Sequence, residues 1–418
     1  MIEVKCSRGN EPKIKVIGIG GGGNNAIERM IESGIKGVEY VSVNTDIQIL
    51  DQSKANSVIQ IGKKLTNGFG AGADPSIGEA AAGENEEDIK KCIEGTDLAI
   101  LTCGMGGGTG TGAIPVIAKL CKDMGILTVA VVTTPFSFEN TPRMKAAQSG
   151  LEKLKDCVDT LLVIPNDRLL SLSEKPMLLE DAFMLADSVL KFTIEGMTNI
   201  VYNKGIINVD FNDLKTILKN KGIGHFGIGT VDADKPVLDA VNQAINSSFL
   251  DTTVKGAENI LINTCGKINL ISLNEAINYL KEVAAPNANF IWGTVTDENS
   301  DPEKVIVTVI ATGLSEKRQE SMFPGFRRPE IPGVNNTRAN IPRDNIQRDN
   351  IPRVNIPRTD TSWADTSWAD TLRADTSRID IQRADIARTD FPRSGSVGVG
   401  RDTKPIQIPD FLANRIAK

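Results

Sequence analysis

The chain is expected to fold as an α/β protein: a parallel-sheet domain, a long central helix and a smaller α/β C-terminal domain, followed by a disordered tail. Three observations predict this. Strand-length apolar runs alternate with helical patterns from about residue 12 to 314; two glycine-rich segments each fall between a strand and a helix; and the composition changes near residue 315.

The predicted strands are KIKVIGI (13–19), VEYVSVN (38–44), DLAILTC (97–103), ILTVAVVTT (126–134) and DTLLVIP (159–165). Continuous apolar strands separated by helices indicate a parallel sheet covered on both faces. Helices are predicted over NNAIERMIESG (24–34), ending at Gly34, and AIPVIAKLCKDMG (113–125). The helical pattern at 179–202 has no strand immediately after it and reads as a central helix joining two domains. Strands at 258–264 and 304–313, with helices between, form the second unit. The expected divisions are a flexible N-terminus (1–12), a nucleotide domain (13–178), the central helix (179–203), a C-terminal domain (204–314), a linker (315–405) and a terminal peptide (406–418).

Composition narrows the function classes. The 418 residues are 40% hydrophobic and 24% charged, with a net charge of −6, so a general nucleic-acid binder is not expected. No apolar run reaches the ~18 residues of a membrane span, and the N-terminal MIEVKCSRGNEPK lacks an apolar signal core. The six cysteines form no CxxC pair, which argues against a zinc site or disulfide framework and fits a reducing cytoplasm. With His225 as the one histidine, Ser-His-Asp catalysis and multi-histidine metal sites are close to excluded.

Residues 338–393 repeat with a period of five, Arg opening most units and Asn or Asp holding the third position. The recurring proline and polar residues favour a disordered linker, since few large apolar groups offset chain entropy. The alternative is a pentapeptide solenoid with Ile341, Ile346, Ile351 and Ile356 inward; threonine at that position from 361 to 376 weakens its core.

Eleven of the 38 glycines fall in two short segments. The first is Gly18-Ile19-Gly20-Gly21-Gly22-Gly23-Asn24-Asn25-Ala26; the second is Gly104-Met105-Gly106-Gly107-Gly108-Thr109-Gly110-Thr111-Gly112. Glycines between a strand and a helix let backbone N–H groups approach phosphate oxygens, and the helix N-terminus favours the anion. Gly18-x-Gly20-x-x-Gly23 satisfies a dinucleotide fingerprint, but that fingerprint has no place for the second run. No GxxxxGK[ST] occurs. Phosphate binding without a Walker lysine is therefore expected.

GMGGGTGTG resembles the signature loop of the tubulin/FtsZ family, and residues 12–314 resemble bacterial FtsZ, the cell-division GTPase. The likeness extends through GGGGNNA (20–26), VNTD (43–46), GFGAGADP (68–75), TTPFSFE (133–139), IPNDRLL (164–170), DAFMLADSVL (181–190), NVDFNDLKTIL (208–218) and VTVIATG (307–313). It implies a tubulin/FtsZ-like parallel-sheet nucleotide domain, GTP and GDP as ligands with Mg²⁺ held mainly by the nucleotide, and head-to-tail filaments that scaffold the division ring.

The resemblance also implies residue roles. Gly20, Gly21, Gly22, Gly23, Asn24 and Asn25, with Asn44, would hold the phosphates together with Gly104, Gly106, Gly107, Gly108, Thr109 and Gly110. Ala71, Gly72 and Ala73 would lie near the γ-phosphate, Glu139 and Arg143 at the ribose and neighbouring phosphate. Asn166 and Asp187 would read guanine, and Phe183 would stack on its ring. Asn208, Asp210 and Asp213 would act in catalysis on the next subunit's γ-phosphate. The two aspartates, three apart, share one face of a helix start; taken by themselves they also suit a helix cap. The Gly222–Phe226 stretch, read as a loop, departs from the family pattern.

Ile406–Arg415 resembles the family's C-terminal peptide, with Gln407 where aspartate is usual and Ala413 where a basic residue is. Ile408, Phe411 and Leu412 would anchor in a partner groove, Pro409 pre-setting the backbone. The implied partners are an FtsA-like membrane tether and other division proteins, with no direct membrane insertion, at a cytoplasmic midcell site beneath the inner membrane. Two rivals are a dinucleotide-dependent oxidoreductase, for which no persuasive acid on strand two is found, and a non-hydrolysing filament, which retention of both aspartates disfavours.

Overall fold

Seven strands lie side by side, all parallel, in a computed structural model that describes residues 11–35, 37–170, 178–202, 205–246, 250–295 and 303–314. The expected linker, the terminal peptide with Ile408, Pro409, Phe411 and Leu412, and most of the N-terminal segment lie outside the described residues. The first half runs β1 (Ile14–Ile19), α1 (Gly20–Glu32), β2 (Val38–Asn44), α2 (Ile47–Leu50), β3 (Ser57–Gln60), α3 (Lys63–Thr66), α4 (Pro75–Glu84), α5 (Glu86–Ile93), β4 (Leu98–Gly104), α6 (Thr109–Asp123), β5 (Leu127–Thr134), α7 (Thr141–Cys157), β6 (Thr160–Pro165) and α8 (Asn166–Leu170). Then follow α9 (Leu179–Tyr202), α10 (Phe211–Leu218), β7 (Gly222–Ile223), β8 (His225–Asp232), α11 (Val237–Ile245), β9 (Asn259–Cys265), α12 (Leu270–Val283), β10 (Asn289–Val295) and β11 (Lys304–Thr312).

The first sheet has the order β3-β2-β1-β4-β5-β6-β7. Successive residues of a strand face opposite sides, and both sides are apolar here. Ile14, Val16, Leu98, Ile100 and Val129 enter one core with α1 and α9; Ile17, Ile19, Ala99, Leu101 and Val132 enter the other with α5, α6 and α7. This double burial is why the strands read as unbroken apolar runs. The second sheet, β10-β9-β11-β8, pairs β10 with β9 in parallel and β11 antiparallel to both its neighbours. Leu185, Val189, Ile194 and Met197 of α9 share one core with Phe226, Leu261 and Ile310 of this sheet and with the first sheet. The central helix is thus common ground for both.

Four edge strands are additional to the sequence expectation: β3 and β7 in the first sheet, β8 and β10 in the second. The four residues of β3 are half-buried and too short to signal a strand. The two residues of β7 pair with Thr160 and Leu161 of β6, although they fall within the stretch expected to be the second domain. A seam forms there. The amides of Lys221 and Gly222 donate to the Asp159 carbonyl at 2.8 and 3.0 Å, and Gly224 N donates to the Leu161 carbonyl at 3.0 Å. The Thr312 hydroxyl donates to the Ile217 carbonyl at 2.6 Å.

The expected loop at Gly222–Phe226 is instead the junction of two strands. His225 opens β8 and is fully buried. Its Nε2 lies 3.1 Å from the Ala244 carbonyl and its Nδ1 3.0 Å from the Thr252 hydroxyl. A carbonyl only accepts, so Nε2 carries the proton and Nδ1 accepts from Thr252. Burial pushes the imidazole pKa below its usual value, the two hydrogen bonds opposing that only in part. Below about pH 6.5 the unfolded chain takes up a proton that the folded chain refuses, so stability falls with falling pH by up to about 1.4 kcal/mol per unit. Denaturant unfolding from pH 7.5 to 5.5 is expected to give His225→Gln a shallower decline of stability with falling pH than the parent. Equal slopes would show that His225 does not titrate this way.

Candidate nucleotide-binding site

Strand order reverses between β1 and β4. They lie adjacent and parallel, but β1 leads through α1 to β2 on one side and β4 through α6 to β5 on the other. The two following segments diverge at the carboxyl ends of neighbouring strands and leave a crevice, the usual ligand position in an open α/β sheet. Both glycine runs lie here. The helix predicted from Asn24 begins four residues earlier, at Gly20, so the glycines form its first turn.

Neither α1, after Ile19, nor α6, after Gly108, has a capping side chain, and neither carries an acidic residue in its first turn. By contrast Asp74, Asn140, Asp210 and Asn269 cap α4, α7, α10 and α12. The first N–H groups of α1 and α6 are therefore left for an anion. They border a cavity of about 400 Å³. Gly20 has φ +69°, and a Cβ there would lie 2.8 Å from Gly110 N, so the two glycine loops touch through backbone. Gly106 has φ +97° and no room beside Pro135. Gly21 and Gly107 differ: a Cβ on either would meet nothing within 4 Å, and both line the cavity. Their missing side chains leave space at the cradle.

Of the predicted phosphate residues, Gly20, Gly21, Gly22, Asn25, Gly104, Gly107, Gly108, Thr109 and Gly110 line the cavity. Gly23, Asn24, Asn44 and Gly106 support it from behind. The Asn24 amide donates to the Gly18 carbonyl at 3.0 Å and accepts from the Asn44 amide at 2.7 Å; Asn44 Oδ1 in turn accepts from Thr45 N at 2.8 Å. The Thr45 and Thr109 hydroxyls are 2.6 Å apart, joining the end of β2 to the second glycine loop. Ala71 is buried, within 2.9 Å of where a Gly108 Cβ would stand, while Gly72 faces open space and Ala73 has φ +62°. These three pack beside the second loop without lining the cavity.

The opposite wall carries charge and an aromatic ring. Glu139 and Arg143 form an ion pair at 2.8 Å, and Glu139 Oε1 accepts from Phe136 N at 2.9 Å. Phe183, 41% exposed, lines the cavity and makes a T-shaped contact with Phe136 at 5.4 Å. Asn166 is buried and its Oδ1 has no partner, an acceptor left for a ligand. Asp187 lines the same end; burial, opposed by Arg29, pushes its carboxyl up to about 6.

Asn208, Asp210 and Asp213 are elsewhere. Asn208 Oδ1 accepts from Gly205 N at 2.7 Å. Asp210 and Asp213 form a reciprocal capping box on α10, Asp213 N donating to Asp210 at 2.8 Å and Asp210 N to Asp213 at 3.1 Å. From Asp187 the helix α9 runs on to Tyr202 towards this loop, roughly 22 Å of helix. Sequence reasoning singled out neither Thr133, Thr134 and Pro135 at the end of β5, nor Met105, Ala186 and Leu190, as lining residues. The first three follow from strand order, since β5 ends beside β4; Ala186 and Leu190 neighbour Asp187 on one helix.

Residues 13–174 match the model of the tubulin/FtsZ family GTPase domain, and residues 222–315 that of the FtsZ family C-terminal domain. Among solved structures, an empty FtsZ dimer from M. jannaschii is 45% identical with a TM-score of 0.69, over 73% of this chain and 89% of that one. The GTPγS-bound protofilament of CetZ2 from Haloferax volcanii is 20% identical with a TM-score of 0.64, over 74% and 96%, a likeness of fold.

Gly21→Ala separates cradle from scaffold. A methyl in open space at a helix start is expected to leave thermal stability without nucleotide unchanged or slightly higher, while GDP binding by calorimetry weakens at least tenfold. Unaltered binding would remove Gly21 from the phosphate contact.

Proposed function

The chain belongs to the FtsZ family, whose nucleotide domain is a tubulin-like GTPase, and on that premise we propose that it binds GTP, assembles head to tail, hydrolyses GTP between subunits and scaffolds the division ring at the septum. The observation that carries this reading is the distance between two half-sites. The cradle and the base-facing residues lie at one end of α9, and the carboxylates of Asp210 and Asp213 follow its other end. One molecule cannot bring them together; a second copy stacked along α9 can.

Within the cradle the amides opening α1 and α6 bind the α-, β- and γ-phosphates, with Ala71, Gly72 and Ala73 beside the γ-phosphate. Arg143 neutralises phosphate charge, and Glu139 meets the ribose. The ionised Asp187 accepts along the base edge, and Asn166 accepts or donates there. A carboxylate there accepts the paired N1–H and N2 amino donors of guanine, which adenine does not offer. Phe183 stacks on the ring. Mg²⁺ would be held mainly by the phosphates and keep most of its water, with the Thr109 hydroxyl the nearby protein oxygen that lines the cavity. The neighbour's Asp210 and Asp213, with Asn208 in the same loop, orient the attacking water, and an aspartate takes its proton. The new P–O bond forms at the γ-phosphorus as the β–γ bridge leaves with GDP.

Exposed apolar side chains support a polar stacking mode. Phe69, 84% exposed, bridges to Asp46 just beyond β2, at the cavity end of the sheet. Ile206, 92% exposed, precedes the Asn208 loop, which pairs with β10 through Ile207 and Thr294; Leu270 and Ile271 open α12 shortly after the carboxyl end of β9. Unlike surfaces at opposite ends make a heterologous contact, which propagates as a filament if it does not close. The terminal peptide would then dock an FtsA-like tether, many weak tails acting together through a linker spanning roughly 50–60 Å.

The capping box favours a second reading, in which the aspartates only cap α10 and the filament does not hydrolyse. Asp210→Asn distinguishes them, because asparagine caps as well as aspartate but cannot take the proton. Light scattering and phosphate release across a concentration series with Mg²⁺ and GTP, GDP or ATP are expected to show assembly with GTP alone and turnover only above a threshold concentration. In Asp210→Asn, turnover should fall by about 100-fold or more, with GTP binding and assembly kept. Concentration-independent turnover would overturn the split site, and full turnover in the variant would leave the aspartates as caps.

A further inference from the structure

One contact beside the base end of the cavity is unexplained by phosphate or base chemistry. Arg29, in the third turn of α1, donates from Nε to Asp187 Oδ2 at 3.0 Å, across 158 positions of sequence. Arg29 does not line the cavity, whereas Asp187 does. The Asp187 side chain is 15% exposed and the Arg29 side chain 39%. The guanidinium therefore grips one carboxylate oxygen from behind and leaves Oδ1, which has no protein partner among the described residues, for the cavity.

We propose that Arg29 is a positioning residue for base recognition: it keeps Asp187 ionised and oriented so that the carboxylate accepts donors from the guanine edge at physiological pH. The inference rests on the reading of Asp187 as the guanine partner.

The physical need is plain. A carboxylate in this pocket loses hydration, and burial raises its pKa to about 6 even with Arg29 opposing it through charge and hydrogen bond. An opposite charge at contact distance lowers a carboxyl pKa by about 1–3 units. Without Arg29 the carboxyl pKa moves to neutrality or above, so a large share of Asp187 carries a proton at pH 7, and a protonated carboxyl presents a donor where guanine also donates. Among the described residues, Arg29 is the only charged side chain that acts on Asp187. Glu139 and Arg143, across the cavity, neutralise each other at 2.8 Å. On α8, Asp167 accepts from Ser137 N and Arg168 pairs with Asp251. On α9 itself, Lys191 lies over the Phe192 ring. Arg29 also reaches Asp187 from the helix whose first turn is the phosphate cradle, so one rigid element sets both ends of the nucleotide.

The test is GDP affinity of the full chain by calorimetry from pH 6.0 to 8.5, for the parent, Arg29→Met, Arg29→Gln and Arg29→Lys. Methionine keeps the apolar stem; glutamine is a second neutral variant should the first fail to fold, and nucleotide-free thermal unfolding checks each. The neutral variants are expected to bind about tenfold more weakly than the parent at pH 7 and to come within about threefold at pH 8.5, while lysine restores parent-like affinity across the range. A deficit that does not change with pH, or none at all, would overturn the proposal. Asp187→Asn separates it from its premise. If Asp187→Asn binds GDP as the parent does, the base reading itself fails. If that variant is weakened but the Arg29 variants show no pH-dependent deficit, only the role of Arg29 fails.

Discussion

Parallel alignment of β1 with β4 is the constraint from which the site follows. Two neighbouring strands that run the same way must end at the same edge, and their connections leave on opposite sides because strand order reverses between them. Two helix starts then face one crevice. Glycine is required where the loops meet, since a Cβ at Gly20 would strike the backbone of Gly110. The capping side chains found on other helices are missing from these two. The chain therefore keeps a set of unpaired amides at a place where secondary structure would otherwise consume them, and an anion completes what the fold leaves open.

The helix α9 carries that local arrangement across the molecule. Its apolar side chains belong to a core shared with both sheets, so it is held along its length. One end presents Phe183 and Asp187 to the cavity; beyond the other, the chain turns into the Asn208 loop and the capped start of α10. Asp210 and Asp213 are locked by mutual hydrogen bonds with backbone amides, which fixes their carboxylates before any partner arrives.

The main strands, the central helix and the two glycine loops were legible because each has a strong local signal: unbroken apolar runs, a long 3.6-residue period and glycine where a Cβ cannot fit. The residues that face the cavity from α9 were legible only through resemblance, since Phe183 and Asp187 carry no local mark that separates them from core or surface. Arg29 was invisible for a related reason. On α1 it reads as an ordinary solvated helix face, and only the packing of α1 against α9 brings it to Asp187. The strands β3 and β7 were missed because four and two residues cannot establish a period. The Gly222–Phe226 stretch was read as a loop from its place in the family pattern; in fact Gly222 and Gly224 let the chain pass from one sheet to the other.

That passage has a mechanical meaning. A single residue, Gly224, separates the last strand of the seven-stranded sheet from the first strand of the four-stranded one. Its amide and those of Lys221 and Gly222 are all hydrogen-bonded to β6 or the residue before it. Tension applied to the second sheet along the direction of β7 loads these bonds side by side, in shear, and does not peel them one at a time. The Thr312 hydroxyl, bonded to the Ile217 carbonyl, ties the far end of β11 across the same seam. A pull arriving at either sheet is therefore delivered to the other with little slack, and the pair behaves as one stiff link rather than two beads on a string.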